Sequence, residues 1–284
     1  MNITLRPGRP EDANACGNIC YEAFKAIADQ HGFLPDFPSP EVAIGLMNYF
    51  LSGTAYSLIA EADRQIAGSN FLWEDTSIAG VGPITVDPQV QNSSLGRKLM
   101  EGVLHRAEEQ HLAGVRLVQA AYHNRSLSLY AKLGFDVKEP LSVFQGTPLN
   151  IQLPGYDVHL AKEADLDDCN ELCYKVHGHG RSNELLSAVK AGNAYVVEHN
   201  GKISGYTTQL GFFGHSVAET NNELKAIIGA ATSFSGPGFL LPSRNAELLV
   251  WCLNNGLRIT QPMTLMSKGF YKEPDGVFMP SVLY

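Results

Sequence analysis

A strand, a turn of small residues and a helix follow one another between Gly82 and Phe135, and this run constrains the fold more than any other feature of the chain. Gly80-Val81-Gly82-Pro83-Ile84-Thr85-Val86-Asp87-Pro88 reads as a strand with β-branched alternation that stops at Pro88. The segment from Gln91 to Met100 then reads as a small-residue turn entering a helix. Leu95, Leu99, Met100, Val103, Leu104 and Ala107 recur at the helical period, so that face needs a sheet beneath it. The helix is expected to end near Gly114. A strand over 115–122 follows, then Asn124 and a short helix through Tyr130 to Leu133, stopped by Gly134-Phe135. A turn of this kind leaves backbone N–H groups unpaired at the positive end of a helix. It can hold a phosphate without any specific side chain. Arg97 and Lys98 add charge for a ligand with more than one phosphate.

Val86-Asp87-Pro88, Gln91, Gly96-Arg97 and Leu99 resemble the first signature of the GNAT acetyltransferase superfamily, Gln/Arg-x-x-Gly-x-Gly/Ala after the central strand. Asn124, Leu129-Tyr130 and Gly134-Phe135 resemble its second signature, in the right order and at about the right distance. One departure is Ser94 in place of the first signature glycine. Serine still offers a backbone N–H and little bulk.

The resemblance implies acetyl-CoA as cosubstrate and N-acetylation by direct attack of an amine in a ternary complex. It implies that main-chain groups of Ile84, Thr85 and Val86 meet the pantetheine arm and polarise the thioester. The pyrophosphate would lie on Gln91, Asn92, Ser93, Ser94, Leu95, Gly96, Arg97 and Lys98. Asn124 would contact pantetheine, or else cap its helix. Tyr130 would be the general acid, since a phenol can reprotonate a departing thiolate. The base is open. Relatives carry a glutamate where this chain has Gly80, so Glu74 is the first candidate, with Asp75, Glu22, His31 or a water relay as alternatives.

A chain of 284 residues, 44% apolar and 18% charged, allows one large domain or two ordinary ones. A net charge of −8 argues against a nucleic-acid partner, which needs a basic face. No apolar run approaches a membrane span, and the N-terminus lacks the pattern of a signal peptide. Five cysteines with no Cys-x-x-Cys pair suit free thiols in a reducing cytoplasm. Cys16 and Cys20, like Cys169 and Cys173, share a helix face as core residues. His177-Gly178-His179 lacks a third ligand nearby, so no metal is expected.

The sequence also repeats itself. Asp165, Cys169, Leu172, Cys173 and Tyr174 match Asp12, Cys16, Ile19, Cys20 and Tyr21 at one constant offset, and Gly201–Gly205 matches Arg64–Gly68. Asn245 and Trp251 fall where Asn124 and Tyr130 fall. These landmarks read as a tandem duplication. The expected fold is α/β, of the α+β kind: two acetyltransferase folds, 1–147 and 156–284, each a mixed, largely antiparallel sheet flanked by helices. In the second copy the segment His215–Lys225 has no glycine, while Glu219 and Glu223 place negative charge where a phosphate would sit. The second copy is therefore expected to be degenerate, a structural wall for the acceptor site. The rival expectations are a non-catalytic acyl-CoA binding or sensing protein and an interaction scaffold. Monomer and homodimer are both open.

Overall fold

The computed structural model describes residues 2–74, 76–91 and 94–283, so Asp75, Asn92 and Ser93 of the expected site lie outside the described residues. The chain forms two compact units. The first takes the chain through Leu117 together with Tyr122–Asp136, and the second takes Val118–Ala121 and Val137–Val282. This division differs from the expected end of the first copy at 147, because the strand that closes the first copy pairs within the second unit.

The first unit runs β1 (Ile3–Pro7), α1 (Ala13–His31), α2 (Pro40–Tyr49), β2 (Tyr56–Ala62), β3 (Gln65–Trp73), β4 (Ile78–Val81), β5 (Thr85–Val86), α3 (Leu95–Glu109), β6 (Gly114–Ala120, shared with the second unit) and α4 (Asn124–Lys132). The sheet order is β1-β2-β3-β4-β6, with β5 beside β3. Its pairs are antiparallel except β4 with β6. Successive residues of a strand face opposite ways, and β3 uses both faces. Phe71 joins the core of Cys16, Cys20, Met47 and Phe50 from α1 and α2. Asn70, next to it, donates to the carbonyl of Leu99 in α3 at 3.3 Å. α3 buries Leu95, Leu99, Met100 and Val103, worth roughly 1.5–3 kcal/mol each relative to exposure. Gly17 lets the helices touch, since a Cβ there would stand 2.5 Å from the Ile44 Cα.

The second unit runs β7 (Asp136–Gln145, from Val137 onward), β8 (Tyr156–Leu160), α5 (Leu166–His177), α6 (Ser182–Lys190), β9 (Tyr195–His199), β10 (Lys202–Thr207), β11 (Ser216–Ala218), α7 (Asn221–Ala230), β12 (Phe239–Pro242), α8 (Ala246–Asn254), β13 (Arg258–Gly269) and β14 (Val277–Met279). One sheet is β14-β11-β10-β9-β8, antiparallel throughout. Separately, β7 lies between β13 and β12.

The repeat is visible in matching details. The Asp12 carboxylate accepts the backbone N–H of Arg9 at 2.8 Å ahead of α1, as Asp165 accepts that of Lys162 at 2.7 Å ahead of α5. Gly32 and Gly178, both left-handed, end those two helices. Gly68 pairs with Val86 as Gly205 pairs with Ala218. One strand expectation changes. The run 80–88 is divided into β4 and β5 by the break at Gly82-Pro83. Further on, β7 is one continuous strand. It passes through Pro140, which keeps a carbonyl for the backbone N–H of Ser243 at 2.8 Å. Among the described residues no helix is long and apolar enough to cross a membrane.

Candidate active site

The site of the first unit begins where β4 and β5 part. β4 runs beside β6 only over Ile78–Gly80, opposite Gly114–Arg116. After Gly82-Pro83 the chain turns back to β3, with Thr85 opposite Ser69 and Val86 opposite Gly68. The Trp73 indole N–H donates to the Gly82 carbonyl at 3.1 Å, which pins the break. Among the described residues β5 has no neighbour on its other edge. In antiparallel pairs, alternate residues point their N–H and C=O to opposite edges. Asp87 donates its N–H to Ala67 at 2.9 Å, so Val86 turns its own groups outward. The Val86 carbonyl accepts from the Gln91 side chain at 3.3 Å, and its N–H faces the open edge.

The turn after β5 is shaped by its side chains. Asp87 accepts the Gln89 N–H at 2.9 Å and starts a short 3-10 turn over Pro88–Val90. Ser94 then takes a left-handed conformation, φ 61° and ψ 6°, immediately before α3. The glycine of the resembled signature suits this backbone, and serine adopts it at a cost of roughly 1–2 kcal/mol. Among the described residues no side chain caps α3, and the first N–H groups of a helix lack intrahelical partners and stand at the positive end of its dipole. Gly68 permits the close approach of β5 and α3, since a Cβ there would meet the Thr85 carbonyl at 2.5 Å. Gly96 has no such internal reason. A Cβ on it would make ordinary contacts with Val86 and Leu129 at 3.7 and 3.8 Å. Arg97 pairs with Glu101 at 3.3 Å, and Lys98 is exposed.

α4 brings Tyr130 in. Its ring is 6% exposed and meets Phe135 edge-on. Burial raises its phenol far above the ordinary value, and a hydrogen bond with the Ser126 side chain opposes that in part. Ser126 Oγ also bonds His123 Nδ1. Burial pushes the His123 imidazole down to about 4, helped by the charges of Arg125 and His31. The spacing of three and four residues puts these groups on one helix face. Sequence reasoning had singled out neither Ser126 nor His123, although that spacing was readable. Asn124 is the first residue of α4, not its cap; it is exposed, with no side-chain hydrogen bond to a described residue. Beside them Tyr122 stacks on Phe33 at 4.2 Å and meets His31 at 5.2 Å. Burial and Asp36 push the Tyr122 phenol up to about 12.

The candidate bases are placed less favourably. Both Glu74 oxygens are taken by Arg106 of α3, at 2.7 and 3.0 Å. The geometry gives Glu74 a structural part: it ties the end of β3 to α3. Glu22 is exposed, and His31 Nδ1 sits 2.9 Å from the Ile27 carbonyl of its own helix.

The equivalent places in the second unit are closed. Only Glu219 and Thr220 separate β11 from α7. Thr220 Oγ1 accepts the N–H of Asn222 at 3.2 Å, and the Glu223 carboxylate accepts that of Thr220 at 3.0 Å, a capping box. Glu219 turns away to Lys175 at 2.9 Å. The edge of β11 that corresponds to the open edge of β5 is paired with β14, Ser216–Ala218 against Val277–Met279. The expectation that Trp251 replaces Tyr130 is corrected by the helix ends. Phe135 donates its N–H to the Tyr130 carbonyl as Leu257 does to that of Cys252, both at 3.1 Å. Cys252, fully buried and with its thiol pushed up to about 12 by burial, therefore stands in the place of Tyr130.

Residues 32–150 match a family model described as Acetyltransferase (GNAT) domain. The whole chain is similar in fold to a putative acetyltransferase from Pyrococcus horikoshii, at TM-score 0.74 and 15% identity, covering 97% of this chain and 94% of that one. A GCN5-related N-acetyltransferase from Sphaerobacter thermophilus aligns at TM-score 0.65 and 16% identity over 95% and 96% of the two chains. A tandem GNAT protein from the clavulanic acid biosynthesis pathway aligns at TM-score 0.55 and 12% identity, covering 94% of this chain and 98% of that one.

Proposed function

We propose that the chain, whose residues 32–150 match the GNAT acetyltransferase domain model, transfers the acetyl group of acetyl-CoA to an amine, using one site in its first unit. The open edge of β5 running into the uncapped start of α3 carries this reading. It supplies outward main-chain groups and then a cluster of free N–H donors, the pair of features a pantetheine arm followed by a diphosphate requires. Gly96, which packing does not demand, and the unbonded Asn124 amide fit the same ligand.

When bound, acetyl-CoA supplies a thioester carbonyl open to attack. The Val86 N–H, on the open edge, is the donor best suited to hold the carbonyl oxygen as negative charge grows there. The α3 N–H groups with Arg97 and Lys98 hold phosphate. Tyr130, kept protonated by its burial, donates its hydroxyl proton to the sulfur as the C–S bond breaks and the C–N bond forms. The acceptor amine enters neutral or gives its proton to water; Glu74 is left out of this step because of its pairing with Arg106. The aromatic group of Phe33, Tyr122 and His31 is the nearest candidate wall for the acceptor.

The second unit carries no acyl-CoA site in this reading. Its helix start is filled by Glu223, its open edge by β14 and its donor position by Cys252. The test is thiol release from acetyl-CoA in the presence of a panel of polyamines, aminoglycosides, amino acids and peptides. Amine-dependent release by the whole protein, lost in Tyr130→Phe with coenzyme binding intact, is expected. Coenzyme binding without release for any amine would favour a binding or sensing role instead.

A further inference from the structure

We propose that Ser126 and His123 form a proton relay that resupplies Tyr130, an inference that rests on the reading of Tyr130 as the proton donor. While the coenzyme fills the site, a phenol that is 6% exposed has no direct path to bulk water, and a neighbouring side chain is its route for taking a proton back. Ser126 lies one turn before Tyr130 on the same face of α4, and its hydroxyl bonds His123 Nδ1. His123 is only half-buried, and its Nε2 bonds no described residue. The chain of bonds therefore leads from the buried phenol to the surface along one face of α4.

The steps balance. Tyr130 gives its proton to the thiolate sulfur, and the phenolate oxygen takes one from the Ser126 hydroxyl. Ser126 Oγ takes the Nδ1 proton of His123, while His123 Nε2 gains a proton from water. The imidazole is neutral before and after, with its hydrogen moved from one nitrogen to the other, and exchange with water restores the starting tautomer. A ring held down to about 4 stays neutral through this cycle at neutral pH, so no charge is trapped in the site. In the second unit, alignment of the helix ends places Asn245, Leu248 and Cys252 at these three positions. Leu248 cannot pass a proton, so the relay and the donor are absent together where the site is closed.

The experiment compares wild type, Ser126→Ala, Ser126→Thr, His123→Phe and Tyr130→Phe in the full chain. It follows thiol release from acetyl-CoA with the best amine of the panel, in mixtures of light and heavy water. Ser126→Ala and His123→Phe are expected to lower kcat by about tenfold or more, with KM for acetyl-CoA within about twofold. The curved isotope dependence of wild type, which reports several protons in flight, should become linear. Threonine at 126 should restore most of the rate. Nitrogen-15 NMR of the unliganded protein adds a readout independent of turnover: His123 should carry its proton on Nδ1, and Ser126→Ala should shift that signal. Wild-type kcat and a curved isotope dependence in Ser126→Ala, with Tyr130→Phe inactive, would overturn the relay and leave Tyr130 as donor. Full turnover in Tyr130→Phe would remove Tyr130 itself, and the relay with it. Absence of thiol release by wild type with every amine would reject the transferase reading and the relay together. A proton on Nε2 in the resting protein would contradict the direction of transfer.

Discussion

Glu223 closes the N-terminus of α7 by accepting the backbone N–H of Thr220 at 3.0 Å, in the place where α3 of the first unit presents uncapped donors. One repeat thus meets the demand of its helix start with its own carboxylate, and the other shows no side-chain cap among the described residues. The same division applies to the strand edge, paired with β14 in the second unit and open at β5 in the first.

The first prediction concerns that cap. Thr220→Ala removes the acceptor for the Asn222 N–H and should destabilise the protein by about 1 kcal/mol. Its coenzyme affinity should stay unchanged. Denaturant titration and calorimetry check the two halves of this statement, and a change in affinity would place α7 at the coenzyme site after all.

The second concerns Ser94. Glycine fits its left-handed backbone better than serine, so Ser94→Gly should keep coenzyme affinity and cost no stability. Aspartate also tolerates that conformation, so Ser94→Asp should fold, yet place a negative charge beside the diphosphate. A loss of affinity of roughly tenfold is expected for a single like-charge contact near the surface. Equal affinity in both variants would move the phosphates elsewhere.

The third separates a base from a strut. Glu74→Gln breaks the pairing with Arg106, a partly exposed ion pair worth about 1 kcal/mol or less. A small drop in melting temperature with kcat near wild type is predicted. A collapse of kcat at unchanged KM would restore Glu74 as the proton acceptor.

The fourth is a pH dependence of the second unit. His215 Nδ1 lies 2.8 Å from Glu184, its Nε2 lies 2.9 Å from the Tyr206 hydroxyl, and Arg181 pairs with Glu184. Burial lowers the imidazole. For Glu184 burial acts upward, but the Arg181 and His215 charges and their hydrogen bonds outweigh it and hold the carboxyl down at about 2. Both folded values lie below their unfolded ones, so both groups contribute stability that is present above the unfolded values and lost as pH falls. Loss should begin near pH 6.5 through His215 and continue below about 4.5 through Glu184. It should reach on the order of 2 kcal/mol by pH 3. Unfolding followed at pH 7, 5.5, 4 and 3 tests this, and Glu184→Gln should flatten the acid limb. Stability that rises toward acid would reverse the sign and refute the account.

Much of the fold was legible because local pattern and tertiary need agree. The apolar stripe of α3 and the doubled Asp-Cys-Cys spacing both carry their own periodicity. The passage from β5 through a turn into α3 was legible for the same reason. What sequence could not give was pairing at long range. Arg106 lies far from Glu74 along the chain, and β14 reaches β11 only through the fold. The exchange of Trp251 for Cys252 turned on a single extra residue that no local pattern locates, and only the hydrogen bonds at the two helix ends fix it. Glu223 was read only as a charge hostile to phosphate, and its capping of α7 was not read.

Calorimetric titration of acetyl-CoA into the whole protein tests the central claim most directly. One site per chain, weakened by Ser94→Asp and indifferent to Thr220→Ala, is the predicted result. Two sites per chain would contradict the closed second unit, and no binding at all would contradict the open edge of β5 as a coenzyme site.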